Sequence, residues 1–456
     1  MLTKIKRLLF KGGEGDSDFR EVLKGGSMAF VYRMLNMVVS YGLMLFISRK
    51  LGDEGIGIYN LCLAILSIMV MLSCLGFNTS VVRFVSQYNA EGAFARVKKL
   101  YKSILSLVIP LSFIFGLVLF LGAEYLATRI YDDSQLIIPF QILAMILPLS
   151  VITALNVEFI RGLKHVHVSE FFRNLGIHII TLIAIVIASF YVLHSYFPML
   201  AYMMGVGVSS LITLIYIAKY FSKQNRTDLE LKPVGDFSLK GHLIISVPMI
   251  LTSFIQLLNG RVDTVMLGLF DTQTTGNVGV FTVALKISVI TNFMIGAIKS
   301  IAMPKISELF WSGKMDNLNR LIARSTKIIF LFAAPISILL MIFPEVILKL
   351  VKPEFISGSS TLRIFALTQL FNASCGLVAI FLNMTGNQVF FTRLVATTTT
   401  ANIVLNYLLI PIYGMEGAAF ATLIATASWN MVGAYFIWKK YKVSTFFRPG
   451  SLFKNS

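Results

Sequence analysis

Charge is what this sequence has least of. Asp, Glu, Lys and Arg make up only 14% of its 456 residues, while 56% are hydrophobic. Soluble domains carry roughly a quarter charged residues. A water-soluble fold of this composition, with a mean hydropathy of +0.78, would run out of polar groups to cover its surface. Lipid is therefore the expected solvent for much of the chain. Cysteine is also scarce: Cys62, Cys74 and Cys375 lie in apolar runs, with no spacing suited to zinc or a disulfide framework. His165-Val-His167 has no further ligand nearby, so no metal site is expected. A G-x-x-x-x-G-K-[ST] phosphate loop is missing, which argues against ATP hydrolysis and against a nucleotide cofactor. The loops run to about 4–13 residues on one side and under about 30 on the other, too short for an inserted catalytic domain. Neither enzymatic activity nor a catalytic residue is expected.

What charge there is has one sign in excess. The net charge of +18 would suit a nucleic-acid partner, but the basic residues sit mainly between apolar runs, where they orient a membrane protein instead. No secretory signal is evident: Lys4-Ile-Lys-Arg7 is followed by only three apolar residues before Lys11. Residues 2–11 are expected to form an amphipathic helix on the membrane surface.

A membrane span needs about 20 mainly apolar residues. Runs of that kind fall near 27–48, 58–79, 103–122, 136–160, 174–194 and 199–221, and then near 243–269, 278–301, 327–348, 361–383, 394–412 and 416–437. With the N-terminus inside, the inner segments hold roughly 30 Lys and Arg residues against about 5 in the outer ones (Arg49, Lys50, Arg129, Lys349 and Lys352), as the positive-inside rule requires. The expected fold is an all-α membrane protein of about twelve spans. Its expected location is the plasma (inner) membrane, with both termini cytoplasmic.

The chain reads as a parallel duplication. Gly57-Ile-Tyr-Asn-Leu-Cys-Leu-Ala-Ile65 is similar to Gly279-Val-Phe-Thr-Val-Ala-Leu-Lys-Ile287, Pro110 pairs with Pro335, Glu124 with Glu345 and Gly162 with Gly386. Arg33-x-x-Asn36-x-x-x-Ser40 aligns with Gln256-x-x-Asn259-x-x-x-Asp263 at a like offset. Each half holds an even number of spans and so inserts the same way, a plan used by transporters that rock two bundles about a central site. The expected divisions are a cytoplasmic N-terminal segment (1–26), two six-helix bundles (27–222 and 241–438) joined by a cytoplasmic linker (223–240), and a basic tail (439–456).

This plan, with Lys24-Gly-Gly-Ser27, Arg49-x-Leu-Gly-x-x-Gly-x-Gly-Ile-Tyr59 and Gly260-Arg-Val-Asp263-Thr-Val-Met-Leu-Gly268, resembles the polysaccharide-lipid flippases. Those flippases belong to the multidrug/oligosaccharidyl-lipid/polysaccharide exporter superfamily. The resemblance covers residues 20–440 and implies two pseudo-symmetric six-helix bundles around a central cleft. The lipid II branch of that superfamily usually carries two further C-terminal spans, for which there is no apolar run here.

Ionisable residues inside spans are costly to insert and are functional candidates by default. They are Arg33, Arg261, Asp263, Lys286, Lys299 and Arg363, the last two near span ends. Arg33 lies about 9 Å inside the first span, on one face with Asn36 and Ser40. In the seventh span Gln256, Asn259 and Asp263 share a face and Arg261 points the other way. Asp263 and Lys286 come out at similar depth, so an ion pair between them is expected, with Arg261 as the competing partner. The excess of buried positive charge suits an anionic cargo, because arginine's planar fork can donate two hydrogen bonds to phosphate. The expected substrate site is Arg33, Asn36, Gln256, Asn259, Arg261 and Lys286, holding the diphosphate of a lipid-linked oligosaccharide, with Asp263 coupling transport to H+ or Na+. Membrane lipids are the other expected partners, and one chain, as a monomer, supplies both walls of the cleft. The alternatives are an ion-coupled antiporter of cationic drugs and a non-transporting scaffold for glycan assembly.

Overall fold

The computed structural model describes residues 16–190, 194–224, 239–271 and 275–447. The expected surface helix at 2–11, most of the linker and the end of the basic tail lie outside them. The described residues are almost entirely helical, and no strand occurs among them. The first half contains α1 (Asp16–Ser73), α2 (Phe77–Ala90), α3 (Phe94–Tyr125), α4 (Ile137–Gly162), α5 (Val166–Phe171), α6 (Ile177–Ala188) and α7 (Phe197–Gln224). The second contains α8 (Leu239–Phe270), α9 (Thr275–Val289), α10 (Phe293–Trp311), α11 (Met315–Ile342), α12 (Pro344–Val351), α13 (Ser359–Cys375), α14 (Val378–Met384) and α15 (Gln388–Tyr441).

Among the described residues, 7 helices are long and apolar enough to cross a membrane. Two of them, α1 and α15, are each a pair of spans joined at a glycine with non-helical backbone, Gly52 (φ 75°, ψ −165°) and Gly414 (φ 54°, ψ −131°). Positive φ costs glycine nothing, so each chain reversal needs no longer loop. One further span, α13 with α14, is bent by 44° at Gly376, inside the run expected at 361–383. The second span ends at Ser73 and turns at Leu75 and Gly76, short of the expected 79. The fifth starts at Val166 and passes through a π-helical turn at Phe172–Gly176. With α8 and the α9–α10 rod, the arrangement accords with about twelve spans.

The duplication is written in the backbone. Gly92 (φ 67°) and Gly313 (φ 71°) occupy matching turns. The residues after them, Ala93 (φ −84°, ψ 60°) and Lys314 (φ −83°, ψ 64°), start α3 and α11 with the same geometry.

One hydrophobic core runs through the first half and into the part of the second half around α8, α9 and α13, while a separate core occupies the rest of the second half, around α10, α11, α14 and α15. The seam between halves is tight where α1 crosses α9. A Cβ on Gly279 would lie 2.0 Å from the Asp53 carbonyl oxygen and 2.9 Å from the Gly57 nitrogen. Asn60 Nδ2 donates to Thr282 Oγ1 at 2.9 Å across a separation of 222 residues. Gly57 and Gly279 stand at the same separation, so repeat-equivalent residues touch each other, as they must on a pseudo-twofold axis. Arg49 Nη2 also reaches the Leu350 carbonyl at 2.9 Å.

Candidate substrate cleft and ion site

The cationic residues of spans seven and eight come together where the halves meet. Arg261 is solvent-accessible and yet within electrostatic reach of the phenols of Tyr59 and Tyr202 from the other half. A side chain lining an internal cleft has that environment. Lys286 lies within reach of Arg261; its Nζ sits 3.5 Å from Asn60 Oδ1, and its carbonyl accepts from the Tyr41 hydroxyl. His178, on α6, faces Lys286 electrostatically as well. The Tyr59 ring is buried edge-on to Tyr202 at 6.3 Å, and its hydroxyl has no hydrogen-bond partner among the described residues. The cluster thus offers a guanidinium, an ammonium and a spare hydroxyl donor, with no carboxylate among these groups, while the His178 Nδ1 is taken up by the Asn174 carbonyl at 3.3 Å. Groups of that kind suit an anion with several oxygens.

The other expected site residues are more scattered. Arg33 is exposed on α1, and one turn on, Asn36 has a buried Oδ1 with no partner among the described residues. Asn259 is exposed and its Oδ1 accepts from Thr399 Oγ1 at 3.3 Å. The side chain of Gln256 lies outside the described residues, as does that of Lys299. Arg363 turns to the surface, 3.5 Å from Glu345.

The expected pairing of Asp263 with Lys286 or Arg261 is corrected by the structure. Asp263 is buried at 9% exposure. It accepts from Asn406 Nδ2 at 2.6 Å and Thr422 Oγ1 at 2.8 Å, both on α15. Asn406 Nδ2 also lies 3.0 Å from Asn402 Oδ1, and Asn406 Oδ1 is buried with no partner among the described residues. The cause is helical geometry. Positions two apart point to nearly opposite sides, so Arg261 faces the cleft while Asp263 faces its own bundle. Lys286 meanwhile reaches across the seam to Asn60. Asp263, Asn402, Asn406 and Thr422 form a buried cluster rich in oxygen acceptors. The sequence signal for it was Asn402-x-x-x-Asn406, two amides one turn apart in an apolar span.

The chain matches the family described as Polysaccharide biosynthesis protein over residues 22–310 and that described as MatE over residues 248–408. It is 22% identical over 421 residues to the uncharacterized membrane protein MJ1068 of Methanocaldococcus jannaschii, covering 88% of this chain and 81% of that one. To the probable flippase AglR of Haloferax volcanii it is 31% identical over 166 residues, 36% of this chain and 34% of the relative; that alignment therefore spans about a third of each protein. Among solved structures, an inward-facing multidrug resistance MATE family transporter of the MOP superfamily superposes with a TM-score of 0.70 at 13% identity, over 92% of this chain and 98% of that one. The lipid II flippase MurJ in an inward closed conformation gives 0.68 at 14% identity, over 91% and 87%. At such identities the likeness is one of fold.

Proposed function

The chain belongs to the polysaccharide biosynthesis protein family, and on that footing we propose that it moves an anionic polyprenyl-diphosphate-linked oligosaccharide from the cytoplasmic to the outer leaflet by alternating access. It is a multi-pass membrane protein of the multidrug/oligosaccharidyl-lipid/polysaccharide exporter superfamily, a flippase and not an enzyme. The finer reading rests above all on one observation: Lys286 reaches Asn60 at the seam of the halves, with Arg261 in electrostatic reach of both Lys286 and the unpartnered Tyr59 hydroxyl. Unpaired donors and cations in a low-dielectric cleft are costly without an anion. A diphosphate, at the junction of prenyl tail and glycan, would supply the missing acceptors while the tail stays in lipid.

In this reading the bundles 27–222 and 241–438 of a single chain rock about the α1–α9 seam. The cargo biases that motion only through stronger contacts in one state than in the other. Asp263 with Asn402, Asn406 and Thr422 holds the coupling cation, because carboxylate, amide and hydroxyl oxygens are the ligands a hard monovalent ion takes. The cationic cleft disfavours export of cationic drugs, since Asp263 is turned away from it.

The test is flipping of a short fluorescent prenyl-diphosphate sugar in proteoliposomes. Arg261→Ala and Arg33→Ala each remove charge-assisted hydrogen bonds of about 1.5–3 kcal/mol. Apparent affinity should therefore fall by about tenfold to a hundredfold, with Arg261→Lys in between. Wild-type flipping by both alanine variants would rule the site out.

A further inference from the structure

On the expected outer face of the second half there is a pocket of about 470 Å³ that the flipping site does not use. Its walls carry Asp271, Asn277, Ser357 and Glu416, and no Lys or Arg is among its lining residues. In a chain of net charge +18 that is an unusual surface. Asn277 Nδ2 holds Asp271 Oδ2 at 2.8 Å, which fixes one wall. The floor is apolar, formed by the buried Ile410 and Met415 on either side of the Gly414 reversal.

What lies beneath that floor gives the pocket its meaning. On α15, Asn406 is one turn below Ile410 and Ala418 one turn below Met415, with Thr422 a turn further. On α8, Asp263 is eight residues from Asp271, about 12 Å along the axis. The Ile410–Met415 floor lies between the acid-walled pocket and the buried oxygen cluster one to two helical turns further in, where Asn406 Oδ1 lacks a partner among the described residues. Two carboxylates in the wall of a cavity concentrate cations there and repel anions.

We infer that this pocket is an outer vestibule that gathers a small monovalent cation and passes it by the Ile410–Met415 floor to Asp263. The inference rests on the proposed coupling role of Asp263 and adds the route, the side and the residues. It assigns Asp271 and Glu416 to ion capture and the floor to an apolar gate. Glycolipid never enters this path, whose pocket is lined by residues of the second half alone.

Two measurements test it. Cys62, Cys74 and Cys375 are buried, so Ser357→Cys supplies an exposed thiol at the pocket wall. In sealed, oriented vesicles, a cationic impermeant methanethiosulfonate added outside should modify it several-fold faster than an anionic one. Adding Asp271→Asn and Glu416→Gln should bring the two rates together, and so should high salt. Equal rates before the neutralising substitutions would overturn the cation-gathering role. The second measurement is flipping driven by external sodium chloride against choline chloride at fixed pH, with a parallel pH step in choline to separate sodium from proton. Asp271→Asn with Glu416→Gln should raise the half-saturating cation concentration several-fold, a deficit that closes at saturating cation. Asp263→Asn should lose the cation response altogether. An unshifted half-saturation in the double variant, with Asp263→Asn still unresponsive, sinks the vestibule alone. A response that survives Asp263→Asn, or none in the wild type, sinks the coupling reading and the vestibule with it.

Discussion

Arg261 and Asp263 stand two positions apart on α8 and belong to different chemistries. The guanidinium faces the opposite half, whereas the carboxylate is held by neutral donors from α15. Hydrogen bonds to a charged group contribute about 1.5–3 kcal/mol, which is how a carboxylate tolerates burial without a cation beside it. Span position identified both residues as candidates, but equal depth was a poor guide to pairing, because the direction of Lys286 depends on where the seam runs. Lys164 shows a residue-scale cost elsewhere: it sits in the left-handed region (φ 65°), and at the 222-residue offset of Gly57 and Gly279 its repeat counterpart is Gly386 (φ 77°), which corrects the expected pairing of Gly386 with Gly162. Left-handed backbone disfavours residues with a Cβ by about 1–2 kcal/mol, partly offset by glycine's greater chain entropy. Lys164→Gly is therefore expected to stabilise the protein by about 0.5–1 kcal/mol, seen as a higher midpoint of thermal unfolding in detergent.

Among the elements, the breaks carry more information than the straight runs. Apolar length located most of the rods, since a span must bury about 20 residues in lipid. Hydropathy has no term for φ, so it missed the bend at Gly376 and the π-helical turn at Phe172–Gly176. The crossing of α1 and α9 depends on a residue with no side chain at all. A methyl group on Gly279 would meet the backbone of Asp53 and Gly57, and neither can swing aside as a side-chain tip would. Gly279→Ala should cost at least about 1–3 kcal/mol by overpacking. The state closed at this crossing should bear that cost, giving a lower thermal midpoint and weaker flipping. Gly260→Ala on α8, where a Cβ meets nothing within 4 Å, is the matched control and should raise the midpoint slightly, since Ala in a helix interior is about 0.5–1 kcal/mol better than Gly.

For the whole molecule, the seam decides which halves-apart and halves-together states coexist. Asn60 and Thr282 bond each other across it, and one such bond contributes about 1 kcal/mol net. Asn60→Ala should shift the population toward opening at this seam by about fivefold. Spin labels at Glu91 and Ser312, exposed in matching turns of the two halves, would report the shift as a changed weight of the two distances. Thr282→Val should add little to Asn60→Ala, because both remove the same bond. The sequence by itself determined the class of solvent, the helical fold and the internal repeat, because hydropathy, the positive-inside asymmetry and a constant offset act along the chain and survive without coordinates. It also singled out Arg261, Asp263 and Lys286, since any charge in a span is conspicuous. Only the tertiary structure decided that Tyr59, Tyr202 and His178 stand beside the cations, that Asp263 answers to Asn406 and Thr422, and that an acidic pocket lies above it. Those relations join residues from about sixty to about two hundred positions apart, and which faces meet depends on the packing of every helix between them.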